Sequence, residues 1–215
     1  MAVRLNIGCG QSPTEGWFNY DNSPAVWLAR SRLLTALLGR TRLLDEHSIA
    51  FAEFCRGHDV RYANAAARIP HETGSVDAIY SSHMMEHLDR SEARAFLAEC
   101  LRVLRPGGVL RLAVPDLRNN VRLYLEDNDA DAFVDYLLFD LDKPRGLRQR
   151  LNRLVTGGRG HHWIYDRQSL TKLVEKAGFA DVQVAGGTST RISDPGALVL
   201  DERDGDTICV EALRP

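Results

Sequence analysis

The sequence is poor in cysteine and in aromatic residues, and neither sign of charge dominates it. Its four cysteines include no Cys-x-x-Cys pair, which argues against a structural zinc site, a dithiol redox site or a disulfide framework. The net charge of −2 lacks the basic excess of a nucleic-acid-binding protein. No apolar run is long enough to span a membrane, and no secretory leader precedes the first predicted strand. We therefore expect a cytoplasmic protein with no nucleic-acid partner.

The composition that is present is typical of one folded domain. Hydrophobic residues make up 44% and charged residues 26% of the 215 positions, which are the proportions of a globular protein. A chain of this length can bury one sizeable core, so we expect a single domain over residues 1–215.

Hydrophobic periodicity predicts alternating strands and helices. Strands are predicted over 3–7, 17–21, 60–62, 76–81, 109–114, 182–185 and 207–212. Helices are predicted over 23–57, 91–104, 115–141 and 167–177. Asp89 and Glu92 have the spacing of a capping box at the start of the second helical region. This βαβ rhythm predicts a mostly parallel sheet.

The connection between the first two predicted strands is short. It comprises residues 8–16, whereas a parallel crossover normally takes a dozen or more residues and a helix. Either the crossover helix is reduced to a turn, or residues 17–21 pair differently. The sequence leaves both possibilities open.

The helical region 23–57 contains a basic amphipathic stretch. Trp27 and the leucines up to Leu38 form an apolar face that is interrupted by arginines. Such a helix can lie on a membrane surface, but amphipathic helices more often pack on their own domain. We expect the second role and keep a peripheral membrane contact as the alternative.

Charge reverses sharply in the middle of the chain. Every charged residue over 126–142 is acidic, and every one over 143–159 is basic. The two runs predict either an internal electrostatic match, which is favoured, or a basic surface for an anionic acceptor.

A glycine turn follows the first predicted strand in Asn6-Ile7-Gly8-Cys9-Gly10. Glycines there permit positive φ and let a ligand approach the backbone. Nucleotide-like ligands bind at such loops at the carboxyl ends of strands in open α/β sheets. Pro13 occupies the place of the third glycine in a Gly-x-Gly-x-x-Gly fingerprint, which argues against a nicotinamide cofactor.

The run His83-Met84-Met85-Glu86-His87 also matches the inverted zinc-peptidase signature. On a helix, His83 and His87 would share one face and could bind zinc. However, the motif directly follows an apolar strand, and the capping signal places the helix start near Asp89. We therefore expect no metal site and favour hydrogen bonding of Glu86 and His87 within a loop.

Five motifs in fixed order carry a family resemblance. They are Asn6–Gly10, Asp21, Arg68–Pro70 ahead of Ser75–Ser81, Met85–Leu88 and Leu104–Gly108. In this order the chain resembles the class I, Rossmann-like S-adenosylmethionine-dependent methyltransferases, of the small bacterial type often linked to cell-surface polysaccharide and glycan biosynthesis.

The resemblance implies a doubly wound α/β fold and a cofactor. The sheet would have seven mostly parallel strands, helices on both faces and an antiparallel last strand. The helical region 23–57 would be an insertion, and the segment 117–166 would lie on the substrate side. S-adenosyl-L-methionine would be the cofactor.

The resemblance also implies which residues bind that cofactor. They are Asn6, Gly8, Cys9, Gly10, Asp21, Asn64, Ser81 and Ser82. Asp21 would accept hydrogen bonds from the ribose hydroxyls, since a carboxylate can bind two vicinal hydroxyls. Asn64, with Asp59 as the alternative, would read the adenine amino group.

The acceptor side is expected from chemistry. A hydroxyl acceptor needs a base, and histidine has a suitable pKa; the candidates are His83, His161 and His162. Candidate acceptor-binding residues are Trp163, Tyr165 and Arg159, together with Arg153. A His-His-Trp run is equally typical of an aromatic packing cluster.

We therefore expect O-methylation of a small-molecule or glycan acceptor. The alternative is a non-catalytic methyltransferase-fold protein that serves as the partner of another enzyme.

Overall fold

The computed structural model describes residues 2–40, 44–137, 160–186, 188–200 and 205–215. Its strands are β1 Arg4–Ile7, β2 Phe18–Asp21, β3 Val60–Tyr62, β4 Val76–Ser82, β5 Leu104–Pro115, β6 Ala180–Ala185 and β7 Thr207–Leu213. They form one sheet in the order β3-β2-β1-β4-β5-β7-β6. Strands β1 to β5 pair in parallel, and β7 is antiparallel to both β5 and β6. The predicted seven-stranded, mostly parallel sheet is confirmed.

Helices connect and surround these strands. They are α1 Pro24–Leu28, α2 Arg32–Arg40, α3 Glu46–Gly57, α4 Arg90–Val103, α5 Leu117–Asp127, α6 Ala130–Tyr136 and α7 Arg167–Lys176. The capping box predicted before α4 is present, because Asp89 accepts from backbone N–H groups of the first turn and Glu92 accepts from the Asp89 N–H.

The Pro-Gly-Gly turn after α4 is absorbed into β5. The sequence predicted a strand only from Val109, but β5 begins at Leu104, which pairs with Val76 ahead of a register shift. Gly107 has a φ of +74°, and its N–H still donates to the Arg214 carbonyl at 2.8 Å. An irregular stretch of β5 therefore replaces the predicted loop.

The short first crossover contains no helix. Strands β1 and β2 are parallel, with Leu5 opposite Phe18, so the connection is reduced to a loop over residues 8–17. The buried Asn6 amide donates to the Ser12 carbonyl at 3.0 Å and to Thr14 Oγ1 at 3.1 Å. Side-chain amide hydrogen bonds thus order a loop that has no helical hydrogen bonds of its own.

The two faces of the sheet are packed in different ways. Helices α4 and α7 bury Phe96, Leu97 and Leu170 completely against one face. On the second face, the cluster joins strand residues such as Tyr80 with Trp17 and the loop residue Ile192. In the described part of the chain, that second cluster takes its side chains from strands and loops.

The predicted insertion forms a separate helical cluster. Helices α1 and α3 bury residues such as Val26 and Ala52 together, whereas Leu33 and Leu37 of α2 are 83% and 57% exposed. None of the helices in the described ranges is both long enough and apolar enough to cross a membrane. A peripheral membrane contact through α2 stays a prediction.

Candidate functional site

A glycine loop lies at the carboxyl end of β1. Gly8 and Gly10 have φ values of +71° and +49°, and the N–H groups of Gly8 and Cys9 both donate to the Tyr20 carbonyl on β2. A Cβ atom on Gly8 would lie 2.5 Å from Met84 Cγ, whereas one on Gly10 would meet nothing within 4 Å. Packing therefore requires glycine at position 8, and open space borders position 10.

Asp21 ends β2 directly beside this loop. Its Oδ2 accepts from the Gly10 N–H at 3.1 Å, and its Oδ1 accepts from the Ser23 N–H at 2.8 Å. Burial raises the pKa of Asp21 above its ordinary value, while these backbone N–H groups act in the opposite direction. A carboxylate offers about four acceptor positions, so Asp21 can still bind two hydroxyl groups.

A small pocket opens between the glycine loop and the end of β4. It is lined by Asn6, Gly8, Cys9, Ser12, Tyr80, Ser82 and His83; we call it the glycine-loop pocket. Ser82 Oγ is buried with no hydrogen-bond partner among the described residues. Burial also raises the pKa of the Cys9 thiol far above its ordinary value, so this cysteine stays protonated. The pocket therefore offers hydrogen-bonding groups and no thiolate.

Two of the predicted cofactor-binding residues, Asn6 and Ser81, differ from Ser82 in their surroundings. Both hydrogens of the Asn6 amide are used to hold the loop. Ser81 precedes the pocket residue Ser82 in β4 and so points to the opposite face of the sheet; its hydroxyl is buried with no hydrogen-bond partner in the described ranges.

Topology separates the two candidates for reading adenine. Asp21 lies opposite Tyr62 in a parallel pair, so Asn64, two residues further on, lies at the same edge of the sheet as Asp21. Asp59 precedes β3 and lies at the opposite end, where it forms an ion pair with Arg61 at 3.0 Å. The arrangement favours Asn64.

The three candidate base residues lie in three environments. His83 follows β4 with a φ of +49° and lines the glycine-loop pocket. Its Nδ1 is 3.4 Å from Glu86 Oε1, and its Nε2 is 3.1 Å from Thr207 Oγ1. His162 is exposed, and His161 is buried. Of the three, His83 is the one that borders the pocket.

The His-x-x-Glu-His motif is not carried by a helix. His83 follows β4, Met85–His87 form a single 3₁₀ turn, and Asp89 caps α4. The predicted helix start near Asp89 is confirmed, so the two histidines do not share one face of a helix.

A third histidine, distant in sequence, joins this turn. One ligand atom from each of Glu86, His87 and His161 lies within 4.8 Å of the other two; we call these residues the Glu86 cluster. The N–H groups of His162 and Trp163 hold the two segments together by donating to the Glu86 carbonyl at 2.7 and 3.1 Å. Sequence reasoning missed this cluster, because His87 and His161 are 74 positions apart and the one signal was the His-His-Trp run itself.

Burial lowers the pKa of His161, and the nearby Glu86 carboxylate opposes that shift. The His161 imidazole is therefore biased toward its neutral form, which has a lone pair on one ring nitrogen.

The predicted acceptor residues lie beside a separate cavity. Trp163, Tyr165 and Arg90 are among the residues that line a space of about 240 Å³, and the Arg90 guanidinium lies 4.3 Å from the Trp163 ring centre. Tyr165 is 3% exposed and belongs to the core, where burial raises its pKa to about 12. Arg153 and Arg159 lie outside the described residues.

Comparison with known proteins agrees with this architecture. A family model described as a methyltransferase domain matches residues 35–112, which include β3, β4, α4 and most of β5. Over these residues the chain is similar to methyltransferase domains. The cofactor that this similarity supports is S-adenosylmethionine. The match begins after the glycine loop and Asp21, so it leaves their roles open.

Two solved structures share the fold of this chain. An S-adenosylmethionine-dependent methyltransferase from Thermotoga maritima is 17% identical with a TM-score of 0.51, over 100% of this chain and 83% of that one. Another from Methanosarcina mazei is 16% identical with a TM-score of 0.50, over 98% and 90% of the two chains. At these identities the likeness concerns the fold.

A curated protein matches a shorter stretch. It is described as a probable S-adenosylmethionine-dependent methyltransferase from Mycolicibacterium smegmatis and is 41% identical over 59 residues. The aligned stretch is 27% of this chain and 21% of that relative, so the match spans about a fifth of the relative's length.

Proposed function

We propose that this chain transfers the methyl group of S-adenosylmethionine to a hydroxyl group of a small-molecule or glycan acceptor. The observation that carries the proposal is the glycine-loop pocket at the carboxyl ends of β1 and β4, with Asp21 beside it. Open space at Gly10 and the unpartnered Ser82 hydroxyl within the described structure fit a polar ligand. Ligands of open α/β sheets bind at this edge.

Each residue that would bind the cofactor then has a proposed role. Gly8 and Gly10 would border the amino-acid portion of the cofactor, and Asp21 would hold the ribose hydroxyls through its remaining acceptor positions. Asn64, at the same edge of the sheet, would read the adenine ring. Ser82 would lie beneath the sulfonium.

The cofactor supplies a methyl group made electrophilic by its sulfonium. The chain must hold an acceptor oxygen in line with that methyl group, exclude water and accept a proton. His83 borders the pocket with an imidazole that can accept a proton. We assign His83 as the base.

The finer identity of the acceptor rests on the second cavity and on the basic run. Trp163 is 38% exposed beside Arg90, and together they offer an aromatic and cationic surface that suits a sugar ring or an anionic group. In the sequence, every charged residue over 143–159 is basic. These features favour a polar, anionic acceptor such as a glycan.

The donor site is tested by calorimetric titration with S-adenosylhomocysteine. We expect saturable binding by the wild type and a loss of about 1–3 kcal/mol, roughly 5- to 150-fold, in Asp21→Ala. Asp59→Ala removes a carboxylate from the opposite end of the sheet and is the matched control. Equal affinity in Asp21→Ala and Asp59→Ala would contradict the ribose role. No binding by the wild type would favour the non-catalytic partner protein instead.

A further inference from the structure

We infer that Glu86, His87 and His161 form a binding site for one divalent transition-metal ion beside the glycine-loop pocket. One potential ligand atom from each residue lies within 4.8 Å of the other two. This site departs from the sequence-based expectation of no metal, which considered His83 and His87 on one helix and did not include His161.

The Glu86 carboxylate is the first reason to place a cation here. Glu86 is 1% exposed, and within the described ranges both of its carboxylate oxygens are buried without a hydrogen-bond partner. His83 Nδ1 lies 3.4 Å from its Oε1. A buried carboxylate normally has several donors or a counter-ion, since isolated burial of the charge is costly. A metal ion supplies that missing positive charge.

The histidines present the ring nitrogens that a metal needs. His87 Nδ1 donates to the Gly160 carbonyl at 3.2 Å, which fixes the tautomer and leaves Nε2 with its lone pair; metal-binding histidines commonly have this backbone partner. His161 Nδ1 is buried and has no hydrogen-bond partner in the described structure. The two rings meet at 72° with centres 4.9 Å apart, so they are not stacked face to face.

The backbone holds these three side chains in place. Two N–H groups of the 160–163 segment donate to the Glu86 carbonyl. Further along, Tyr165 forms a bridge with Asp116 at the end of β5, and its carbonyl accepts from the Leu117 N–H. The ligands therefore lie on elements fixed to the sheet edge, as a preorganised metal site requires.

The donor set indicates the class of metal. Two imidazole nitrogens and one carboxylate suit Zn²⁺ and other first-row ions, whereas Mg²⁺ prefers oxygen ligands and several waters. Three protein ligands leave a coordination position open, which is the pattern of catalytic and not structural zinc sites.

The ion's role in catalysis rests on the proposed methyl transfer. His83 links the two sites, because it lines the glycine-loop pocket and contacts Glu86. A metal at the cluster would bind the acceptor hydroxyl and lower its pKa. In that transfer the hydroxyl would give up its proton, the oxygen would form a bond to the methyl carbon, and the carbon–sulfur electron pair would go to sulfur. The products are a methyl ether, S-adenosylhomocysteine and one proton.

The test is a titration of chelator-treated, metal-free protein with Zn²⁺ and Mn²⁺, read by calorimetry and by metal analysis after desalting. We expect one equivalent of at least one ion per chain, and a rise in Tm of about 5–10 °C at a free-ion concentration near 100 times Kd. Glu86→Gln and His161→Asn should each lose the tight equivalent and the rise in Tm. Glu175→Gln and His47→Asn, which replace exposed residues of the same types, should retain both.

A parallel titration with S-adenosylhomocysteine separates this inference from the proposed function. Metal binding by the wild type that is lost in both Glu86→Gln and His161→Asn supports the site, whether or not S-adenosylhomocysteine binds. Absence of a stoichiometric equivalent, or unchanged binding in Glu86→Gln and His161→Asn, overturns the site even when S-adenosylhomocysteine binds normally. A melting curve of each variant in chelator is the control for folding. A variant that melts like the metal-free wild type is folded, so its loss of metal binding does not come from unfolding.

Discussion

Two buried glutamates show how differently this chain treats a buried charge. Glu211 on β7 forms an ion pair with Arg111 at 2.8 Å and also accepts from Thr190 Oγ1 and the Arg191 N–H. Glu86, equally buried, has no hydrogen-bond donor among the described residues and one histidine at 3.4 Å. The first carboxylate is surrounded by partners inside the protein, and the second is not.

The paired carboxylate belongs to the structure. Arg111 and Glu211 are cross-strand neighbours on β5 and β7, and Arg111 also donates to the carbonyls of Ser189 and Leu200. The pair thus fastens the loop over 188–200 to the second face of the sheet. The unpaired carboxylate lies at the carboxyl edge of the sheet, where the glycine-loop pocket also lies, and we assign it to function.

The largest effect is expected from breaking the structural pair. Arg111→Met removes the closer of two arginines that pair with Glu211, since Arg191 Nε stays 3.5 Å from its Oε2, and should lower the free energy of unfolding by about 3 kcal/mol, measured by urea denaturation. Arg122→Met removes the exposed partner of Glu126 and should change it by less than about 1 kcal/mol. Similar losses in the two variants would remove the distinction on which the comparison depends.

A large effect on catalysis, with little effect on folding, is expected at His83. His83→Ala should lower turnover by about 100-fold or more, as loss of a general base does, and leave the affinity for S-adenosylhomocysteine nearly unchanged. The control is His162→Ala, since His162 is exposed and lies outside the glycine-loop pocket lining. Turnover that survives in His83→Ala would refute our choice of base.

Within the glycine loop, the two glycines should respond differently. Gly8→Ala forces a Cβ against Met84 at positive φ, so we expect a loss of about 2–3 kcal/mol in the free energy of unfolding. Gly10→Ala has positive φ and open space, so the loss should be near 1 kcal/mol, with weaker binding of S-adenosylhomocysteine. Equal stability losses would contradict the packing role assigned to Gly8.

The smallest effect on stability is expected at Glu86 in metal-free protein. Glu86→Gln removes a desolvated charge that lacks donors, so the free energy of unfolding in chelator should stay the same or rise by about 1 kcal/mol. Urea denaturation measures it. A loss of more than about 2 kcal/mol would mean that Glu86 has a structural role like that of Glu211.

Local patterns in the sequence predicted most of the fold. Strand periodicity, the capping pair at Asp89 and Glu92, and the glycine loop each depend on residues within a few positions of one another, and the structure confirms the sheet they imply. The helix-free first crossover stayed open, because the Asn6 hydrogen bonds that order it have no signature in the sequence.

The candidate site was less predictable, because it depends on contacts between distant residues. Nothing local in the sequence brings His161 to Glu86, or Arg111 to Glu211 across 100 positions. The pocket residue Gly8 was predicted from the glycine turn after the first strand together with a family resemblance, and His83 from the chemistry that a base requires. The acceptor residues Arg153 and Arg159 stay predictions, since they lie outside the described structure.

The most direct test of the account is a crystal structure with S-adenosylhomocysteine bound. We predict that the ribose hydroxyls contact Asp21 and that the thioether sulfur lies beside Ser82 and His83, facing the Glu86 cluster. A ligand that binds instead in the cavity beside Trp163 and Arg90, with Asp21 untouched, would contradict the account.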